Sequence, residues 1–227
     1  SRRQRQMCIR DRMGAGRTEL LSSLFGAEPS EGGEILVRGK ALTRPTPTRC
    51  IREGIAYVTE NRRQEGLIMP KTIEENVTMV VLDRMTGALG VVDRSREKRT
   101  ALDLVKKLTV KTSDPQRQFV KNLSGGNQQK VVIAKWVASE PKVFFMDEPT
   151  RGVDVGAKYE IYTYINELAR EGCGVLLVSS EMEEVMGICD RILVMYRDRI
   201  VADIPKAAFD QERIIQYALE GGISDAG

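Results

Sequence analysis

Apolar positions along this chain fall into two patterns, short solid runs and helical stripes. Val143-Phe144-Phe145-Met146, bounded by Pro141 before and Asp147-Glu148 after, reads as a buried strand with two carboxylates at its C-terminal end. Gly54 to Val58 and Gly174 to Ser179 have the same character, and Arg191 to Tyr196 and Ile200 to Asp203 read as closing strands. Gly33 to Val37 reads as a short strand before an exposed turn with Pro45 and Pro47. Helical periodicity marks 73–85, 94–108, 155–170 and 211–220, and Val131, Val132, Ala134 and Val137 form a stripe that Pro141 ends. Met13 to Leu21 reads as a glycine turn opening a helix that stops near Gly26. Strands alternating with helices predict an α/β fold with a parallel sheet, whose ligands collect at the C-terminal ends of its strands.

Two places in this pattern carry candidate chemistry. Ser124 is placed to cap the helix that follows it, so Gly125, Gly126, Asn127 and Gln128 lie on a first turn with unpaired backbone N–H groups and a positive dipole end. The two glycines leave room for an anion to approach the backbone. After the strand ending at Ser179, Ser180 reads as an N-cap with Glu183 at capping-box spacing.

Composition narrows the choice of chemistry. The 227 residues are 41% hydrophobic and 30% charged, enough for one sizeable α/β domain with a subdomain. No apolar run approaches the roughly 18 residues a membrane span needs. Histidine is absent, which removes imidazole general-base chemistry and histidine-ligated metals. Cys8, Cys50, Cys173 and Cys189 show neither metal spacing nor a dense disulfide pattern, and the plain reading is a reduced cytoplasmic compartment. The net charge of +3 comes from the head, where Arg2, Arg3, Arg5, Arg10 and Arg12 against Asp11 give +4 and leave −1 for the rest. Residues 1–12 lack an apolar strand pattern and read as a foreign remnant replacing a truncated start, or else as a native basic arm.

In order, Leu123-Ser124-Gly125-Gly126-Asn127-Gln128, the strand ending Asp147-Glu148-Pro149-Thr150, and Gly152-Val153-Asp154 resemble the signature motif, Walker B and D-loop of ABC transporter ATPase cassettes. The form with Asn127, and the run Glu148 to Lys158, resembles the second, C-terminal cassette of tandem-cassette monosaccharide importers of the ribose, galactose and xylose type. The resemblance spans about Met13 to Gly222. It implies a P-loop NTPase (RecA-like) core over 13–65 and 122–227, a helical subdomain over 66–121 that contacts a permease, and N-terminal strands lost to truncation.

The resemblance also implies ligands and partners. ATP would be held by Gly14, Ala15, Gly16, Arg17, Thr18 and Glu19, with Ser124, Gly125, Gly126, Asn127, Gln128, Asp154 and Ser180 at the nucleotide interface. Mg²⁺ would be met by Thr18, Asp147 and Glu60, and Glu148 would be the catalytic base or water-orienting group. Three positions depart from the family pattern: Arg17 stands for the phosphate-loop lysine, Glu60 for a glutamine and Ser180 for the switch histidine. Glu60 reads equally as a solvated loop acid. Leu67, Ile68 and Met69 are candidates for permease contact.

The implied function is ATP-driven import of a monosaccharide by the catalytically weaker half of an asymmetric pair. A partner cassette, permease subunits and, indirectly, an extracytoplasmic sugar-binding protein would be its partners, at the cytoplasmic face of a bacterial membrane and without nucleic acid. The alternatives are a soluble ABC ATPase acting on ribosomes or DNA, and a non-functional truncated fragment.

Overall fold

The computed structural model describes residues 6–10, 16–37, 39–87 and 89–221. They divide into two compact units, one formed by residues 1–57, 142–148 and 165–227 and the other by 58–141 and 149–164.

The first unit is built on a sheet of strands β1 (Gln6–Arg10), β4 (Ile55–Val58), β5 (Val143–Asp147), β6 (Gly174–Val178), β7 (Arg191–Tyr196) and β8 (Arg199–Pro205), in the order β4-β5-β6-β1-β7-β8. Strand β1 runs parallel to both β6 and β7, β5 runs parallel to β6, and β8 returns antiparallel to β7. Parallel pairing buries both faces of these strands, which is why they read as solid apolar runs. Phe144, Met146, Leu177, Ile192 and Val194 are among the most buried side chains. Helices α1 (Arg17–Phe25), α2 (Pro47–Arg52), α7 (Met182–Ile188) and α8 (Gln211–Glu220) belong to this unit, as does a hairpin of β2 (Leu36–Val37) and β3 (Lys40–Ala41). Phe25 stacks on Tyr57 with ring centroids 5.4 Å apart, and Tyr57 meets Phe145 edge-on at 6.5 Å, which ties α1 to the sheet.

Several expectations are corrected here. The head does supply a strand: Gln6–Arg10 is β1, between β6 and β7, so this central strand is not lost to truncation. Its middle, Met7-Cys8-Ile9, is apolar, and arginines lie only toward its sequence ends, so five residues suffice when backbone bonds are shared with two neighbours. Cys8 and Cys189 lie against each other, with Cα atoms 6.0 Å apart, where cysteine spacing gave no reason to bring them together. The proline-bearing turn contains helix α2, because Thr46 caps it through Arg49 N and Pro47 fits a first helical position.

In the second unit, α3 (Ile73–Thr78) opens with a capping box in which Thr72 and Glu75 exchange hydrogen bonds, and continues as a 3-10 turn over Met79–Met85. Helix α4 (Arg94–Lys107) is capped by Asp93, and α5 (Gly125–Val137) by Ser124. Ile73, Val77, Val81, Val105, Val131 and Ile133 form its core. Helix α6 (Val155–Arg170) starts in this unit and its last residues belong to the first. Among the described residues no helix is long and apolar enough to cross a membrane.

Candidate functional site

Within the first unit, the site forms where strand ends and a helix start converge. The carboxyl ends of β5 and β6 are in register, Asp147 opposite Val178, and the ladder continues with Glu148 N donating to Val178 O at 2.9 Å. Helix α1 begins after Gly16, which holds a left-handed φ of 81° and needs no side chain there, since a Cβ would lie 2.4 Å from Asp198 Oδ1. Thr18 Oγ1 donates to Asp147 Oδ2 at 2.7 Å, and Asp147 is 1% exposed. The sequence-stipulated hydroxyl and carboxylate are therefore together. Gly14 and Ala15 lie outside the described residues, and Glu19 is exposed on the outer side of the first turn.

Glu148 has a φ of 46°, a region that side chains other than glycine seldom occupy and that often marks a functional position. Ser180 Oγ donates to its Oε2 at 3.1 Å, and an Arg17 amino nitrogen lies 3.8 Å from Oε1. Burial pushes the Glu148 carboxyl above its ordinary range, with Asp147 acting the same way, while Ser180 and Arg17 pull it back. Ser180 is thus not the cap of α7. Glu181 takes the N-cap position, and the neighbouring Ser179 does the local work, accepting from Glu181 N at 3.1 Å and donating to Glu184 Oε2 at 2.6 Å. The spacing of Ser180 and Glu183 suggested a cap, but Ser180 faces the Glu148 carboxylate instead.

The donor set fits magnesium. Thr18 and Asp147 offer a hydroxyl and a carboxylate side by side, the oxygen ligands that this ion takes alongside water and phosphate. Among the described residues, no three or more His, Cys, Asp or Glu side chains cluster as an all-protein metal cage. The Glu60 carboxylate is paired with Arg151, a partner the sequence did not suggest.

The signature residues lie in the second unit. Ser124 caps α5 as expected, accepting from Asn127 N and from Asn127 Nδ2, the latter at 3.0 Å. Asn127 Oδ1 in turn accepts from Lys111 N at 2.9 Å. Gln128 is fully buried and gives its amide N–H groups to Val120 O and Leu123 O, both at 3.2 Å, so it braces the loop before the helix. Protein atoms already crowd both glycines. A Cβ on Gly125 would lie 2.8 Å from an Arg62 nitrogen and 3.1 Å from Gly152 O, and one on Gly126 would lie 2.5 Å from Ala157 Cβ. Asp154 Oδ1 accepts from Ala157 N at 3.0 Å and starts α6. Of the three apolar candidates after Glu60, Leu67 is buried, Met69 half-buried and Ile68 exposed.

Residues 4–151 match the family model described as ABC transporter. The ribose import ATP-binding protein RbsA 1 of Rubrobacter xylanophilus is 44% identical over 215 residues, covering 95% of this chain and 43% of that protein. Bacillus subtilis RbsA is 46% identical over 209 residues, covering 92% and 42%. The xylose import ATP-binding protein XylG of Thermoanaerobacter pseudethanolicus is 46% identical over 211 residues, covering 92% and 41%. The chain spans about two-fifths of the length of these relatives. The fold is that of the dimeric structure of MJ0796, a bacterial ABC transporter cassette, with a TM-score of 0.77 at 22% identity over 92% of this chain and 89% of that one. A family match over most of the chain, on a fold that brings Thr18, Asp147 and Glu148 to the ends of parallel strands, has one reading: this chain belongs to the ABC transporter family.

Proposed function

We propose that this chain is an ATP-binding cassette, the second of a tandem pair, that couples ATP binding and hydrolysis to monosaccharide import through a membrane permease. It is the catalytically weaker member of the pair. The observation that carries this reading is the group formed by Thr18, Asp147, Glu148, Arg17 and Ser180 at the strand ends. The names of the relatives, ribose and xylose import ATP-binding proteins, support the sugar and the direction. The helical residues 66–121 would meet the permease at the cytoplasmic face of the membrane, with Ile68 exposed for contact.

Phosphoryl transfer asks the protein for positioning, charge neutralisation and an oriented water. Backbone N–H groups at the start of α1 and the Arg17 guanidinium hold the phosphates, and Thr18 and Asp147 hold Mg²⁺, which supplies charge neutralisation there. Glu148 accepts a hydrogen bond from the attacking water and takes its proton. Two features slow that step. Arg17 beside Oε1 draws Glu148 into an ion pair, and Ser180 offers a neutral hydroxyl where the family pattern has an imidazole. Ser124 and Gly125 are intact and serve the nucleotide on the partner cassette, which makes the pair asymmetric.

The test is ATP binding and hydrolysis by this chain alone and then mixed with a cassette carrying the full set of motifs. Binding with little turnover alone, and turnover on mixing that Ser124→Ala abolishes, is the expected result. Absence of ATP binding in both settings overturns the reading.

A further inference from the structure

Two arginines of the second unit cross. Arg62 reaches forward and donates to Arg151 O at 2.7 Å and to Gly152 O at 3.3 Å. Arg151 reaches back to the Glu60 carboxylate. Each segment therefore supplies a side chain to the other, and the backbone accepting from Arg62 includes the residue whose side chain pairs with Glu60. Gly125 lies against this crossing, where a Cβ would come 2.8 Å from an Arg62 guanidinium nitrogen and 3.1 Å from Gly152 O.

The base of the crossing is fixed as well. Arg62 begins a π-turn, Arg62–Gly66, whose start is capped by Asn61. Arg63 Nε donates to Gln128 Oε1 at 3.4 Å, and Lys135 Nζ donates to Gly66 O at 2.5 Å, so α5 holds the turn at both ends. Gly66 fits against Val132, which a Cβ would approach to 3.1 Å. The guanidinium of Arg62 is partly desolvated and beside Arg63, and burial followed by Arg63 pulls its pKa down. Its Nε is buried without a hydrogen-bond partner. Holding a cation in such a place is unfavourable unless its two forked donors are needed where they are.

We propose that Arg62 and Arg151 are positioning residues, crossed so that the 59–66 segment and the 149–154 segment are locked together around Gly125 and move as one body. The inference rests on the proposed function, in which Ser124 and Gly125 complete a nucleotide site on a second cassette and the Glu60 loop meets a permease. A displacement of the Glu60 loop is then carried to the signature glycine through hydrogen bonds and an ion pair, without passing through the nucleotide of this chain.

Hydrogen exchange on the full chain tests the lock, and turnover with a partner cassette tests its use. In Arg62→Ala, amide exchange across 150–153 and 124–127 rises about tenfold or more, while the segments around Thr18 and Glu148 keep wild-type rates. Arg62→Lys retains most of that increase, because one ammonium does not take two carbonyls in a fork. Glu60→Gln, which keeps size and removes only the charge, gives a smaller rise confined to 150–153. Mixed with a full-motif cassette, Arg62→Ala lowers kcat about tenfold and leaves KM for ATP unchanged, as expected for lost positioning. Wild-type exchange at 150–153 in both Arg62→Ala and Glu60→Gln, or an increase spread evenly over the chain, overturns the proposal. Failure of the wild-type mixture to hydrolyse ATP counts against the proposed function, and the exchange result still decides the lock.

Discussion

Ser180 Oγ donates to Glu148 Oε2 at 3.1 Å, so a neutral hydroxyl already holds one oxygen of the carboxyl that follows β5. With Arg17 near the other oxygen, both oxygens of this half-buried carboxyl have a partner. Replacing Ser180 with His and Arg17 with Lys should free Glu148 and raise turnover at this chain's own site. We expect roughly a tenfold or greater gain, the range that a positioned acid–base group contributes. Single-turnover hydrolysis, with the partner's site inactivated, measures it, and an unchanged rate would sink the idea of a burdened site.

Glu148 also carries a sign for stability. Its folded-state pKa lies above the ordinary value, so the folded chain binds more protons than the unfolded one just above that value, and stability falls as pH rises through this window. Glu148→Gln removes the titrating carboxyl, so the fall in stability with rising pH should be weaker in the variant than in the wild type. Thermal melts at pH 4 and pH 7 check this, with the two proteins converging at the acid end.

Lys135 gives the opposite slope in a different window. Burial lowers its pKa from 10.5 to about 8, so the unfolded chain binds the extra proton between those values, and stability rises with pH across them. The contribution is about 3 kcal/mol at most. Urea midpoints between pH 8 and 10.5 should climb in the wild type and stay flatter in Lys135→Met, which also leaves Gly66 O without its 2.5 Å donor.

Thr18→Val deletes the hydroxyl that donates to Asp147 and so takes one hydrogen bond from a buried carboxylate. A loss of about 1–3 kcal/mol in unfolding free energy follows, and Mg²⁺-dependent ATP binding weakens with it. Thr18→Ser should restore both. Denaturant titration and nucleotide titration with and without Mg²⁺ separate the two effects.

Glycine substitutions divide by what a methyl group would meet. Gly126→Ala would put a Cβ 2.5 Å from Ala157 Cβ and should destabilise by about 1–3 kcal/mol through overpacking. Gly187, in helix α7, has nothing within 4 Å of the built position, so Gly187→Ala should stabilise by about 0.5–1 kcal/mol. Denaturation of the two variants side by side reads the contrast.

The α/β order and most helices are legible because solid runs such as Val143–Met146 and the stripe after Ser124 have only one comfortable burial. Asp147 and Glu148 are legible for the same reason: they end a strand. Strand β1 is not, because Met7-Cys8-Ile9 is short and set among arginines, and only the two neighbours supplied by distant residues make a strand of it. The partner of Ser180 is hidden because capping geometry and a hydrogen bond across the sheet both use a serine at that spacing. Arg62 and Arg151 are invisible in sequence, since 89 residues separate donor and acceptor and each looks like a solvated charge.

Strand β1 pairs with residues 175–178 and 191–194. During synthesis it therefore emerges well before either of the neighbours that it pairs with. At translation rates of about 5–20 residues per second, it waits roughly 10 to 40 s with its apolar middle uncovered, while the helices of the second unit can already assemble. Chains of this kind, closed by contacts far apart in sequence, fold slowly. Strand β1 is thus an early piece of the sheet that is completed late, and the helix that follows it, with Thr18, can be seated against the ends of β5 and β6 only after those strands have been made.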